Sequence, residues 1–176
     1  ILSGILHQMF GAENVGFHIG SEAVRMDTSV PISAEGLRAA ELAANHIVWQ
    51  DVPVLVSYPT REELAALVYR SKKEIEGQVR IVTIPGADVC ACCGTHTRTT
   101  GQVGQIKILT SENYKGGVRL SIVCGARALE AAQAMRARQA EIGALLSAKA
   151  SETANAVHRV YDCLLYTSPS PRDRQK

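Results

Sequence analysis

A chain of 176 residues, 46% hydrophobic and with a mean hydropathy of +0.01, has room for one domain with a real core plus a helical appendage. No apolar run approaches the roughly 18 residues of a membrane span and no secretory pattern opens the chain, so no membrane partner is expected and the cytoplasm is the default location. Five cysteines, three of them within four residues, read as metal or redox chemistry rather than as a disulfide framework.

Taken in order, residues 1–10 carry Leu2, Ile5, Leu6 and Met9 at helical spacing, with His7 as a partly exposed surface residue. Residues 15–27 read as a hairpin turning at Gly20-Ser21. Alternation predicts Phe17 and Ile19 on one face and His18 on the other, pointing away from the core. Ser33 is the expected N-cap of a helix over 34–49, with Leu37, Ala40, Ala44, Ile47 and Val48 as its apolar stripe. Residues 52–58 read as a strand, and Thr60 and Glu63 as a capping box opening a short helix. Residues 79–84 form a β-rich stretch expected to deliver the chain straight into a turn at Cys90-Ala91-Cys92-Cys93-Gly94-Thr95-His96. Residues 103–109 and 118–123 read as two strands joined through Lys115-Gly116-Gly117, with Arg119 aimed away from the face of Leu120. Residues 126–146 form a long helical pattern, and Ser151 is a candidate cap for a further helix.

Strands in the middle with helices flanking them, and no βαβ alternation, predict an α+β layered domain. The expected division is 1–125 as that domain and 126–162 as a helical connector to something further. Residues 163–176 resemble the translated read-through of a sequencing adapter and are set aside as a non-native tail. Setting them aside leaves 16 positive and 16 negative side chains, so net charge argues nothing about a nucleic-acid partner.

Thiolate and imidazole are the donors a borderline-soft divalent ion selects, with zinc the default, and Gly94-Thr95 suits a turn bringing Cys92 and His96 to one ion. The segments 88–96, 100–108 and 114–120, with 15–20 and 69–73, resemble the alanyl-tRNA editing proteins of the AlaX family. These are relatives of the editing domain of alanyl-tRNA synthetase, and their fold is shared with threonyl-tRNA synthetase. The resemblance implies zinc held by Cys92 and His96 together with a His-x-x-x-His pair immediately before Ile1, whose spacing of four puts both histidines on one helical face. It also implies a β segment ahead of that pair and, in longer members, a C-terminal domain. This chain has Cys93-Gly94 where the family's commoner form has Gly-Gly, and Cys90 is extra to the minimal motif. Either thiol is expected to sit beside the shell, or to substitute for the missing histidines in a non-native site.

The implied reaction is hydrolysis of the ester joining serine or glycine to the 3′ adenosine of alanine tRNA. His18 is the implied catalytic or substrate-orienting residue, and Gly94, Thr95 and Arg119 the substrate-binding ones. Arg70, Lys72, Lys73, Arg98, Lys107 and Arg119 are candidate phosphate contacts. Three alternatives stand beside this reading. They are a fragment of a full alanyl-tRNA synthetase, a non-catalytic RNA-binding module with structural zinc, and a thiol enzyme using Cys92 or Cys93. The polypeptide as it stands is expected to be impaired relative to an active parent.

Overall fold

The computed structural model describes residues 1–71 and 77–167; Lys72 and Lys73 lie outside them. The α+β expectation is met: five α-helices accompany two antiparallel sheets among these residues. The chain runs α1 (Leu2–Phe10), β1 (Asn14–Ile19), β2 (Val24–Thr28), α2 (Ala34–Trp49), β3 (Leu55–Ser57) and α3 (Arg61–Ala66). It continues through β4 (Ile81–Ile84), β5 (Asp88–Ala91), β6 (Ile106–Tyr114), β7 (Gly117–Cys124), α4 (Ala126–Leu145) and α5 (Thr153–Thr167). The larger sheet has the order β1-β2-β7-β6, and the smaller β3-β4-β5.

Two compact units divide at Ala128/Leu129, within α4. In the first, α1 and α2 pack together against the inner face of the larger sheet. Leu6, Ala40, Ala44, Met26, Leu120 and Val82 are all at most 2% exposed. Burying a side chain of the Leu6 or Leu120 class contributes about 1.5–3 kcal/mol. Ser33 caps α2 by accepting from the Gly36 amide, and Thr60 and Glu63 form the expected capping box. Polar side chains of α2 stitch it to β6. Buried Asn45 donates to the Ile106 carbonyl and accepts from its amide, both at 2.8 Å, and Glu41 accepts from the Ile108 amide. A mid-helix asparagine is a poor helix former, so this tertiary pairing is what holds it there.

Lys115 and Gly116, both with positive φ (46° and 82°), make the tight β6–β7 turn whose twist matches its strands. Several expected boundaries move. The strand expected at 52–58 narrows to Leu55–Ser57, with Pro53 in an isolated bridge to Thr99. The strand expected from 103 starts instead at Ile106, and Val103 closes a 3-10 turn (Thr100–Val103). Between β4 and the cysteine turn lies a tight reversal at 85–87 and all of β5, so Cys90 is a strand residue paired with Val82. In the second unit Ser151 lies inside a short 3-10 turn, and α5 runs on through Thr167 into the segment set aside; residues 168–176 lie outside the described ones.

The hairpin β1–β2 carries the largest correction. Phe17 and Ile19 do point to the inner face, since Phe17 opposes buried Met26 and Ile19 opposes Val24. Yet they are not core: Val15, Phe17 and Ile19 are 66%, 54% and 71% exposed. The alternation is right, but β1 is an edge strand and the helices covering β2 and β7 do not reach it.

Candidate functional site

Cys92 and His96 line one cavity of about 420 Å³, together with Cys90, Cys93, Phe17, Asn14, Arg70 and Asp88 among others. Three local arrangements place them. Gly4 on α1 lets the helix lie against the 85–88 reversal so closely that a Cβ there would meet the Ala87 carbonyl and come within 2.6 Å of the Asp88 Cβ. This brings the first turn of α1 beside β5, with Ile1 close to Asp88 and Cys90. The segment around Arg70 then pairs in parallel with β5, its amide donating to the Val89 carbonyl and its carbonyl accepting from the Ala91 amide.

Arg70 closes the wall. Its guanidinium donates twice to Asp88, at 2.9 and 2.6 Å, and once to Ser3 Oγ on α1 at 3.1 Å. The Asp88 side chain is 7% exposed, and the bidentate fork satisfies both of its oxygens. Asp88 is likewise what pushes the Arg70 pKa up. Arg80, on the approach to β4, braces the loop after β5 by donating from Nη1 to the carbonyls of Cys92 (2.6 Å) and Gly94 (3.0 Å). Asn14 Oδ1 is buried with no hydrogen-bond partner among the described residues. None of these four contributors was singled out in this role from sequence. The signals present were a charged residue entering an apolar strand (Arg80) and an acid just ahead of the cysteines (Asp88).

The residues present fit zinc only in part. The His96 imidazole has Nδ1 3.0 Å from the Gly94 carbonyl oxygen. Donation from Nδ1–H there would fix the tautomer and leave Nε2 as the coordinating nitrogen, the usual arrangement of a metal-bound histidine. Cys92 supplies a thiol on the same cavity. Among the described residues, however, no three His, Cys, Asp or Glu side chains come together as a metal group. Cys90 and Cys93 line the same cavity without completing such a group. Burial, with Asp88 and Cys92 nearby, pushes the Cys90 thiol up to about 11, which disfavours it as a nucleophile.

The other expected residues are elsewhere. Gly94 and Thr95 are exposed in the loop between the two donors. His18 points to the outer face, opposite Arg25, and lines a separate cavity of about 340 Å³ with Arg25 and Ser121. Arg119 is also on the outer face, its fork taken by Asp27 (both bonds 2.8 Å) and its guanidinium 3.6 Å from the Tyr114 ring centroid. Lys107 is paired with Glu41 at 2.6 Å, whereas Arg98 is exposed. The expected phosphate contacts Arg70, Lys107 and Arg119 thus spend their charge inside the protein.

No helix among the described residues is long and apolar enough to cross a membrane. Residues 79–121, which contain β4, β5 and the cysteine loop, match the family described as threonyl and alanyl tRNA synthetase second additional domain. The chain is 30% identical over 132 residues to the alanyl-tRNA editing protein AlaX-L of Pyrococcus horikoshii, covering 73% of this chain and 33% of that protein. It is 33% identical over 136 residues to the alanine–tRNA ligase of Methanothrix thermoacetophila, and 37% over 125 residues to that of Methanoculleus marisnigri. Those matches cover 74% and 67% of this chain but 15% and 14% of the ligases, so the chain spans a third or less of each relative's length. The chain is a relative of the AlaX-type alanyl-tRNA editing proteins and of alanyl-tRNA synthetase, with the second additional domain of the synthetases at its centre.

Proposed function

We propose that this chain is the editing portion of an aminoacyl-tRNA deacylase that removes serine or glycine from alanine tRNA. One observation carries the reading: Cys92 and His96, from the loop inside the matched segment, face one cavity while backbone contacts hold that loop. Hydrolysis adds water across the ester. The acyl carbon–oxygen bond breaks, the 3′ hydroxyl is regenerated, and the amino acid leaves as its carboxylate with a proton released.

Cys92 Sγ and His96 Nε2 would hold zinc, as two of the four donors such an ion takes. Ile1, the residue that precedes α1, stands beside Asp88 and Cys90. Zinc when bound supplies a Lewis acid able to polarise a carbonyl or lower the pKa of water. The chain's own residues do the positioning. Arg80 fixes the carbonyls of Cys92 and Gly94, and so the direction of the loop; the Arg70–Asp88 pair holds the floor of the cavity to α1. An aminoacyl ester is already activated, so placement of substrate and water supplies much of the acceleration. Gly94 and Thr95, exposed at the rim, would touch the amino acid, and a hydroxyl-recognising contact would favour serine over alanine. Among the described basic residues named above, Arg98 is the exposed candidate for a backbone phosphate.

The test is release of serine from seryl-charged alanine tRNA by a chain extended at Ile1 with a His-x-x-x-His helix. Release that a chelator stops, with alanyl-tRNA spared, is the expected result. Charged tRNA that binds and stays intact would instead favour a non-catalytic RNA-binding module.

A further inference from the structure

The outer face of the β1–β2 hairpin holds the cavity of about 340 Å³ that the chemistry above leaves unused, lined by His18, Arg25, Ser121 and the turn at 20–23. Strand register builds it. His18 of β1 pairs with Arg25 of β2, and Arg25 with Ser121 of β7, so the three side chains stand in one row across the sheet. Imidazole, guanidinium and hydroxyl can all donate hydrogen bonds, and the row contains no carboxylate. In the next row Asp27 and Arg119 satisfy each other. Arg25 has no such partner: its exposed guanidinium makes no hydrogen bond or ion pair among the described residues. Glu22 lines the turn end of the cavity without pairing with it. The turn is held in place, since the Gly20 amide donates to the Ala23 carbonyl at 3.1 Å and Arg127 donates to the Ser21 carbonyl at 3.3 Å. An unspent guanidinium fork in a concave site, with a hydroxyl beside it, suits an oxyanion that can take two parallel hydrogen bonds, as phosphate does.

Resting on the deacylase reading, we propose that Arg25, with Ser121 and His18 beside it, grips a backbone phosphate of the RNA on the sheet face opposite the cavity of Cys92 and His96. The topology links the two faces. β1 is an edge strand, and Asn14 at its start lines the inner cavity. A polynucleotide passing around the free edge of β1 presents its acyl end to the inner cavity and a phosphate further back along the strand to the outer row. A contact of this kind sets the position of the strand without reading its sequence. A free anion would meet the same fork, but only a continuous chain engages both faces.

The experiment measures binding of an uncharged alanine acceptor minihelix ending in CCA to the 176-residue chain, between about 50 and about 200 mM salt. Arg25→Gln should weaken binding about 10-fold at the lower salt and reduce the slope of log affinity against log salt by about one. Arg25→Lys should restore the slope. Arg136→Gln removes the same charge from exposed α4 and should change neither. A single methylphosphonate linkage, walked back from the 3′ end, should weaken the parent at one position, and there leave Arg25→Gln indifferent. The phosphate grip is overturned by a minihelix that does not bind, by equal losses in Arg25→Gln and Arg136→Gln, or by no loss in either. It is also overturned if Arg25→Gln lowers the urea midpoint, which marks a structural residue. Inorganic phosphate that binds through Arg25 while the minihelix ignores it would mark a small-anion site and overturn the RNA assignment. Release of serine, scored in parallel on the extended chain, separates the two readings. Binding through Arg25 without hydrolysis sinks the deacylase and keeps the grip; hydrolysis with binding indifferent to Arg25 does the reverse.

Discussion

The two faces of the β1–β2 hairpin make different use of alternate residues. On the inner face Phe17 reaches the cavity of Cys92 and His96. On the outer face His18, Arg25, Asp27, Arg119 and Ser121 share a polar surface through the cross-strand pairs His18–Arg25, Arg25–Ser121 and Asp27–Arg119. Each side also has an arginine forked onto an aspartate, and the two pairs differ in what surrounds them. Asp88 is 7% exposed and its partner ties a helix, a strand and an irregular segment together; Asp27 is 15% and Arg119 29% exposed, linking neighbouring strands of one sheet. The same chemical pair therefore holds a site together on one side and decorates a sheet on the other.

That contrast is open to attack by substitution. Arg70→Met should be the most damaging to the fold, because it leaves a buried carboxylate without its partner; about 3 kcal/mol of stability should be lost in urea titration. Arg119→Met should cost distinctly less in the same titration, and equal losses would erase the distinction. Arg80→Met removes the brace on two carbonyls without touching the donors. It should lower kcat/KM by about 10-fold while leaving the urea midpoint nearly unchanged, on the scale of one charged hydrogen bond.

The outer pair has a pH signature. Hydrogen bonds from Arg119 hold the Asp27 carboxyl below its ordinary pKa. A depressed folded-state pKa gives stability that is fully present above about pH 4, the unfolded value, and lost as pH falls through the folded one. Asp27→Asn should therefore lower stability at neutral pH and make the acid limb shallower. An acid limb identical to the parent's would show that the outer pair contributes nothing. This is the smallest of these effects.

What could be read from residues alone followed local rules. Ser33, Thr60 and Glu63 announce helix starts because their side chains bond amides within a few residues, and Lys115-Gly116 announces a hairpin because its backbone needs positive φ. Cys92 and His96 were picked out by donor type and spacing, and the fold brings them to one cavity. The parts that escaped depend on distant partners. Arg70 meets Asp88 across 18 positions and Ser3 across 67, so nothing in its own neighbourhood distinguishes it from a solvated basic residue. Alternation gave Phe17 the correct face, but whether that face is covered depends on the reach of α1 and α2 across the sheet.

The central claim is that the inner-face cavity, and not the outer face, carries the chemistry. Its most direct test is kcat/KM for release of serine from seryl-charged alanine tRNA by Cys92→Ala and His18→Ala variants of the extended chain, side by side. Cys92→Ala should lose on the order of 100-fold or more, the cost of removing one group that serves transition-state charge, while His18→Ala stays within about 3-fold of the parent. Activity that survives Cys92→Ala and collapses with His18→Ala would place the reaction on the other face and contradict the account.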